Sequence, residues 1–352
     1  MTSKKRFRLV QILFLLIVSV VVGPKIVQAD ETAGIGYQVE PIFSKEQIDL
    51  DKGFYYLKTM PGAEQTIEAE IVSTQKEPVD IRVSVLDAYT QDNGLMGYTD
   101  KEKLDESLKN PISTLIKPET EVVTIQNFEK KKVKFKIKIP EESYEGVKAG
   151  ALLFSKEDKR SKGISSKNEF RIGVLLSENG DSYSDSHTLN LLNAKATIKD
   201  AKKVVSLTFQ NPEPKILPGL EMEVTLIDKK TGKIVKTKKA TDYMMAPNSN
   251  FEFDLDWGIE KIPTGIFIAK VEAANGQENW SLTKEFEISA KKSKDLNSNS
   301  PYQIITPMWV KIVSVILGTS SICIFILILI RKKKREIRLK KMKRGKSRKR
   351  KG

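Results

Sequence analysis

The sequence predicts an all-β protein: two immunoglobulin-like β-sandwiches in tandem, followed by one transmembrane helix. Three observations carry this reading. Through the middle of the chain, segment after segment alternates apolar and polar side chains with period two, bounded by turn residues. Near the C-terminus, Ile312 to Ile330 is a run of 19 residues without a charge, enough at about 1.5 Å per residue to cross a hydrocarbon core of about 30 Å. The net charge of +15 sits at the two ends. Residues 331–352 hold 15 Lys/Arg against Glu336 alone, and residues 1–29 hold five basic residues and no acid. The remainder, with 40 basic and 44 acidic residues, is net −4. A nucleic-acid reading of the overall charge therefore has no support in the folded part.

Residues 1–29 have the three parts of a signal peptide. The basic stretch KKRFR precedes an apolar run from Leu9 to Val22, and Val27-Gln28-Ala29 supplies small residues for cleavage between Ala29 and Asp30. Gly23-Pro24 ends the apolar run early, which favours cleavage over an uncleaved anchor. No cysteine follows that run, so a lipoprotein attachment is excluded. Residues 308–330 are expected to form the membrane helix, with Trp309 at the outer interface and Lys311 snorkelling. The basic cluster beginning at Arg331 places residues 331–352 in the cytoplasm by the positive-inside rule. That tail has no aromatic residue to stack on bases, so it reads as a stop-transfer signal attracted to anionic lipid headgroups. The expected localisation is a single-pass cell-membrane protein with its large N-terminal region extracellular. The nearest string to a sortase signal, Ile262-Pro263-Thr264-Gly265, lies inside the folded region and does not support covalent wall anchoring.

The first sandwich is expected over residues 30–160. Ile67, Ala69 and Ile71 alternate with glutamates, Val79 to Val85 with Asp80, Arg82 and Ser84, and Val133 to Ile139 with lysines. Each pattern gives one apolar and one wet face, as in antiparallel sheet. Gly150 to Phe154 suits a more buried strand, and Asp100 to Lys109 a helical piece through Leu104 and Leu108. Lys156 to Asn168 reads as an exposed hairpin loop or the approach to an inter-domain linker, and the strand Phe170–Leu176 fits either sandwich. The second sandwich is expected over 161–290. Its strands centre on Val205–Phe209, Met222–Leu226, Phe251–Leu255, Ile266–Val271 and Leu282–Ile288. That density of short strands is immunoglobulin-like. Residues 291–307 read as a polar tether to the membrane.

Catalytic and metal chemistry find no foothold. One cysteine, Cys323, and one histidine, His187, exclude an internal disulfide and a Cys/His zinc site. His187 lies in a polar turn, Glu141-Glu142 follow Pro140 in another, and Asp92-Asn93-Gly94 makes a tight turn. Asp181 and Asp185 are too sparse for a calcium loop. No cofactor and no enzymatic activity are expected.

Specific strings then become recognisable. Tyr37-Gln38-Val39-Glu40-Pro41, Gln47, Gly53-Phe54-Tyr55-Tyr56-Leu57, Pro61-Gly62, Gln65, Asp92-Asn93-Gly94, Tyr98 and Gly146–Leu152 run through the first half. Phe209-Gln210-Asn211-Pro212, Met244–Phe251, and Asn279-Trp280 with Phe286 run through the second. On these residues the chain resembles the WxL-interacting protein family of Gram-positive bacteria over nearly its whole length. Ser73-Thr74 departs from the Asn-containing turn that members more often have. The resemblance implies a membrane-anchored surface protein that associates with WxL-domain proteins at the cell wall. It further implies an N-terminal peptidoglycan-binding module and a C-terminal host-binding module, the latter directed at a host extracellular-matrix protein. It assigns no catalytic residue.

The expected function is a non-enzymatic scaffold or adhesion protein that binds its partner by sheet-edge pairing or by an apolar patch. Met244 and Met245 are the candidate partner contact, because Met adapts to partner surfaces; the alternative places at least one of them in the core. Two other readings compete: an envelope sensor acting through the basic tail, and a carbohydrate-acting enzyme using Glu141.

Overall fold

The computed structural model describes residues 36–100, 104–157, 169–180, 182–301 and 307–348, with side chains of the last helix described to residue 335. The expected signal peptide, its Ala29–Asp30 cleavage point, the polar run 158–168 and Asp181 lie outside the described residues.

The first half builds two facing sheets. Strands β1 (Tyr37–Ile42), β3 (Glu64–Ser73), β8 (Lys130–Lys138) and β6 (Ile116–Pro118) form one, in the order β1-β3-β8-β6. The other contains β2 (Tyr55–Lys58), β4 (Val79–Thr90), β5 (Met96–Thr99), β7 (Val122–Ile125), β9 (Lys148–Lys156) and β10 (Glu169–Ser177). Its order is β2-β10-β9-β4-β5, with β7 also on β4. The strand whose ownership the sequence left open is thus β10, paired antiparallel with β9 and parallel with β2. The two sheets bury the predicted apolar faces against each other: Ile67, Ala69 and Ile71 of β3 and Phe135 of β8 share a core with Ile81 and Val83 of β4 and Phe154 of β9. Phe135 and Phe154 meet edge to face at 5.9 Å. Burial of such side chains stabilises by about 2–3 kcal/mol each.

Two tyrosines tie the sheets together. Tyr37 on β1 donates to the Phe154 carbonyl on β9 at 2.8 Å, and burial pushes its hydroxyl up to about 12. Tyr55 on β2 donates to the Glu68 carbonyl on β3 at 2.5 Å and accepts from the Ile42 N–H. The lysine face of β8 points to water, where Lys132 and Lys134 reach Glu68 and Lys130 reaches Glu70 across the antiparallel β3–β8 pair. Exposed pairs of this kind add little stability.

The second half builds a three-stranded sheet of β11 (Asn190–Lys199), β12 (Lys202–Asn211) and β15 (Ser249–Asp256), in the order β11-β12-β15. A four-stranded sheet, β14-β13-β16-β17, comprises β13 (Leu217–Asp228), β14 (Ile234–Met245), β16 (Gly265–Ala274) and β17 (Asn279–Ile288). Phe209 stacks on Phe251 at 5.6 Å and meets Phe253 edge-on at 6.2 Å. The edge strand β14 carries Lys236, Lys238 and Lys239 and shifts register against β13 at three places, both of which discourage edge pairing.

Contacts divide the chain into two compact units. One extends to Lys195 and adds Ser206–Asp254 and Phe267–Phe286; the other comprises Ala196–Val205, Leu255–Ile266 and the chain from Glu287 onward. Within the second unit, Lys203 is 1% exposed and donates its ammonium to the Glu260 carbonyl at 2.5 Å.

Two expectations are corrected. No helix covers Leu104–Lys109: Asp105 accepts from the N–H and hydroxyl of Ser107, closing a turn, and among the described residues the helix of this region is the short α1 (Ile112–Leu115) beyond Pro111. Lys101 to Lys103 lie outside the described residues. Most of the expected polar tether is instead a helix, α2 (Ala290–Asn299), whose N-cap Ser289 accepts from the Lys292 N–H. Its Ser293 and Asn297, four residues apart, both donate to the Ile262 carbonyl, and Asn297 Oδ1 accepts the Ile262 N–H. Leu296 is buried on the same face. A polar sequence therefore docks by satisfying the backbone of one loop residue. The last helix, α3 (Met308–Arg348), is long and apolar enough over Met308–Arg335 to cross a membrane, with a mean hydropathy of 2.7.

Asn297→Ala removes two bonds to Ile262 and one to the Ser293 hydroxyl and is expected to destabilise the docked helix by about 1–3 kcal/mol. Amide hydrogen exchange over residues 290–300 should accelerate while that of β3 and β8 stays unchanged.

Candidate functional site

A groove of about 650 Å³ opens at one end of the first sandwich, between the end of β2 and the start of β3. The β1–β2 connection supplies Gln47 and Ile48, the β2–β3 turn supplies Met60, and the segment after β10 supplies Asn179. Gln47 is the internal brace of this wall: its Nε2 donates to the Asp49 and Phe54 carbonyls while its Oε1 accepts the Tyr56 N–H. Gln65 lies on the core-facing side of β3 in step with Ile67 and Ala69. It donates Nε2 to the Lys58 carbonyl at 3.0 Å, and its Oε1 is buried with no protein partner. The Lys58 carbonyl fixes which end of the amide is nitrogen, so the orphan atom is an acceptor.

A second polar cluster joins strands from both halves within the larger unit. Asn211, fully buried, uses its whole side-chain capacity. Its Nδ2 donates to the carbonyls of Lys215 at 2.7 Å and Ala246 at 3.0 Å, and its Oδ1 accepts from the Ser186 hydroxyl and the Glu213 N–H. Ser249 also donates to the Ala246 carbonyl, so its 2.6 Å contact with Thr90 is donated by the Thr90 hydroxyl. Thr90 in turn accepts the Ala246 N–H at 3.0 Å.

Beside this chain, Asp105 accepts from Ser107, Gln210 and Asn250. Burial pushes its carboxyl up, but the bonds from Ser107, Asn250 and Gln210 outweigh burial and hold it below the ordinary 3.8. Two glycines at this joint admit close approaches. At Gly94, with φ of +79°, a Cβ would lie 2.1 Å from the Tyr243 ring, and at Gly146, with φ of +67°, 2.4 Å from the Pro214 carbonyl. Their backbones bond across the same joint: the Gly94 carbonyl accepts the Met244 N–H at 2.7 Å, and the Val147 N–H donates to Pro214 at 2.8 Å.

The predicted contact residues separate. Met245 is fully buried opposite Leu217, whereas Met244 is 38% exposed. His187 stands on the surface with Nδ1 at 3.3 Å from Glu278, and Glu141 and Glu142 are exposed. Among the described residues no group of three or more His, Cys, Asp or Glu is placed to hold a metal. Sequence reasoning missed Asp105 as a joint residue by reading it into a helix; the turn signals Asp105-Glu106-Ser107 and Asn110-Pro111 were the available clue. Nothing in the sequence pattern marks Lys58 as a groove residue.

Two family profiles match the chain: the WxL Interacting Protein peptidoglycan binding domain over residues 37–156 and the WxL Interacting Protein host binding domain over residues 159–298. No curated protein matches the chain. Among solved structures, the CupB2 chaperone of Pseudomonas aeruginosa is 12% identical, covering 64% of this chain and 93% of that one with a TM-score of 0.28. The class 5 fimbriae chaperone CfaA is 11% identical over 71% of this chain and 98% of that one, with a TM-score of 0.27. The E. coli chaperone DraB is 15% identical over 64% and 89%, with a TM-score of 0.25.

Gly94→Ala is expected to destabilise the protein by about 3 kcal/mol or more, combining an unfavourable backbone conformation with a clash against Tyr243, read as a lowered melting temperature. For Asp105→Asn, a loss of roughly 1–2 kcal/mol at neutral pH is expected from mismatched donors. Because the folded carboxyl titrates below 3.8, the advantage of Asp105 is full above that pH and disappears as pH falls through the lower folded value. Melting temperatures of the two proteins should therefore converge in acid, and a gap that stays constant from pH 7 to pH 2 contradicts this assignment.

Proposed function

The chain belongs to the WxL-interacting protein family, and on that premise we propose that it is a non-enzymatic, membrane-anchored binding protein of the cell surface. It holds a WxL-domain protein at the cell wall, binds peptidoglycan through its first sandwich and presents its second sandwich to a host extracellular-matrix protein. The observation that carries the reading is the tandem match of both family profiles, immediately followed by a helix able to span a membrane.

Orientation follows from charge. Arg331 to Arg335 is an unbroken basic run at the end of the apolar helix, which favours a cytoplasmic C-terminus and an extracellular pair of sandwiches. The large apolar side chains along that helix, Ile316 and Phe325 among them, are exposed, which suits a lipid environment. We place the division between modules in the segment joining β10 to β11, since β10 completes a sheet of the first. Met244 remains the accessible member of the proposed partner contact, while Met245 serves the core.

The test uses the full chain in detergent micelles, mixed with a WxL-domain protein from the same organism, and in parallel sedimented with purified peptidoglycan. Saturable capture of the WxL-domain protein and co-sedimentation are both expected. Capture of neither sinks the scaffold reading. In the same assay, Met244→Asp is expected to weaken capture by about tenfold without lowering the melting temperature, and unchanged capture would remove Met244 from the contact.

A further inference from the structure

We propose that the groove at the end of the first sandwich is the ligand site of that module, and that it takes an N-acylated, carboxylate-bearing glycopeptide, the chemistry of a muropeptide. This assignment rests on the peptidoglycan reading above and adds the residues and the part of the polymer they grip.

Three features converge. Gln65 brings a buried acceptor with no protein partner to a cavity of about 650 Å³. A buried acceptor left unpaired costs on the order of 1–3 kcal/mol, which a ligand N–H or hydroxyl recovers once the Gln65 amide turns from the wall toward the groove. Second, Lys58 is a cation at the rim that no ion pair engages among the described residues. The neighbouring charges are already occupied: Lys45 faces Glu46 at 3.8 Å and Glu64 faces Lys138 at 3.8 Å. The free ammonium suits a carboxylate. Third, Ile48 and Met60 give the groove apolar walls, and Met60 is 65% exposed. Walls of this kind receive small methyl groups such as those of N-acetyl, lactyl and alanyl units.

A free sugar lacks the carboxylate, and a simple peptide lacks the acetamido groups. A muropeptide combines amide donors, carboxylates and methyls on one short unit. The groove wall is also preformed, because Gln47 locks the β1–β2 connection through three internal bonds. A wall fixed before binding loses little entropy when ligand arrives.

The experiment measures binding of a soluble disaccharide-tetrapeptide muropeptide to the full chain in detergent micelles by calorimetry, with intact peptidoglycan sedimentation alongside. Lys58→Ala is expected to weaken muropeptide binding by about fivefold at low salt, with the difference shrinking as salt rises. Gln65→Leu is expected to weaken it by about tenfold. Met60→Glu, at an exposed position where folding is not at stake, sets a like charge against the ligand carboxylate and should weaken binding comparably. Lys134→Ala, on the outer face of β8, should bind as wild type does. If Lys58→Ala and Met60→Glu both bind like wild type while all proteins still sediment with peptidoglycan, the groove assignment is overturned and the peptidoglycan reading stands. If wild type neither binds the muropeptide nor sediments, both fall together.

Discussion

The side chain of Asn211 is the fixed point of this protein. Buried carboxamides are tolerated only when every donor and acceptor is met. Here the four partners lie on the connection before β11, on the turn after β12 and on the β14–β15 connection. The Ala246 carbonyl that Asn211 holds belongs to the same residue whose N–H reaches Thr90 at the end of β4. One amide thus sets the position of the β14–β15 corner against the end of β4. The surrounding apolar residues, Tyr56, Ala88, Val147, Ala149 and Leu175, supply area, while the hydrogen bonds supply register. Apolar contact alone tolerates sliding; a chain of Asn, Ser and Thr bonds does not.

The sandwiches were legible because their signal is local. A strand such as Val133–Ile139 declares its buried face through alternation alone, and the structure buries Val133, Phe135, Ile137 and Ile139 as that pattern demands. The joint was not legible, although its strings were recognised, because the partners are distant in sequence. Thr90 and Ser249 are 159 positions apart, and Asp105 and Asn250 are 145 apart. No window of sequence contains both. The docked helix α2 failed for a related reason. Its composition, rich in Lys, Ser and Asn, resembles a solvated tether, and only the Ile262 backbone, which Ser293 and Asn297 satisfy, distinguishes a packed face from a wet one. At the groove, Gln65 was noticed as part of a string, yet its unpartnered oxygen is a property of packing that no pattern encodes.

Charge is organised to keep surfaces apart from functions. The alternating lysines of β8 find glutamates on β3 across the sheet, so a strip that looks strongly basic in sequence is largely neutralised in place. The uncompensated positive charge collects beyond the apolar helix, outside the sandwiches. Lys58 is conspicuous against this background because it has no such partner among the described residues.

The parallel pairing of β2 with β10 has a consequence for how the protein comes into being. Beyond local bonds to residues 46–48, residues 55–58 pair with residues 174–177, so in a nascent chain emerging N-terminus first β2 lacks its long-range strand partner until nearly half the polypeptide has appeared. Long-range pairing of this sort slows closure and leaves an adhesive edge exposed in the meantime. The six-stranded sheet therefore closes only once β10 has emerged, at the midpoint of the chain and ahead of every strand of the second sandwich, so the first module can mature while the second is still being made.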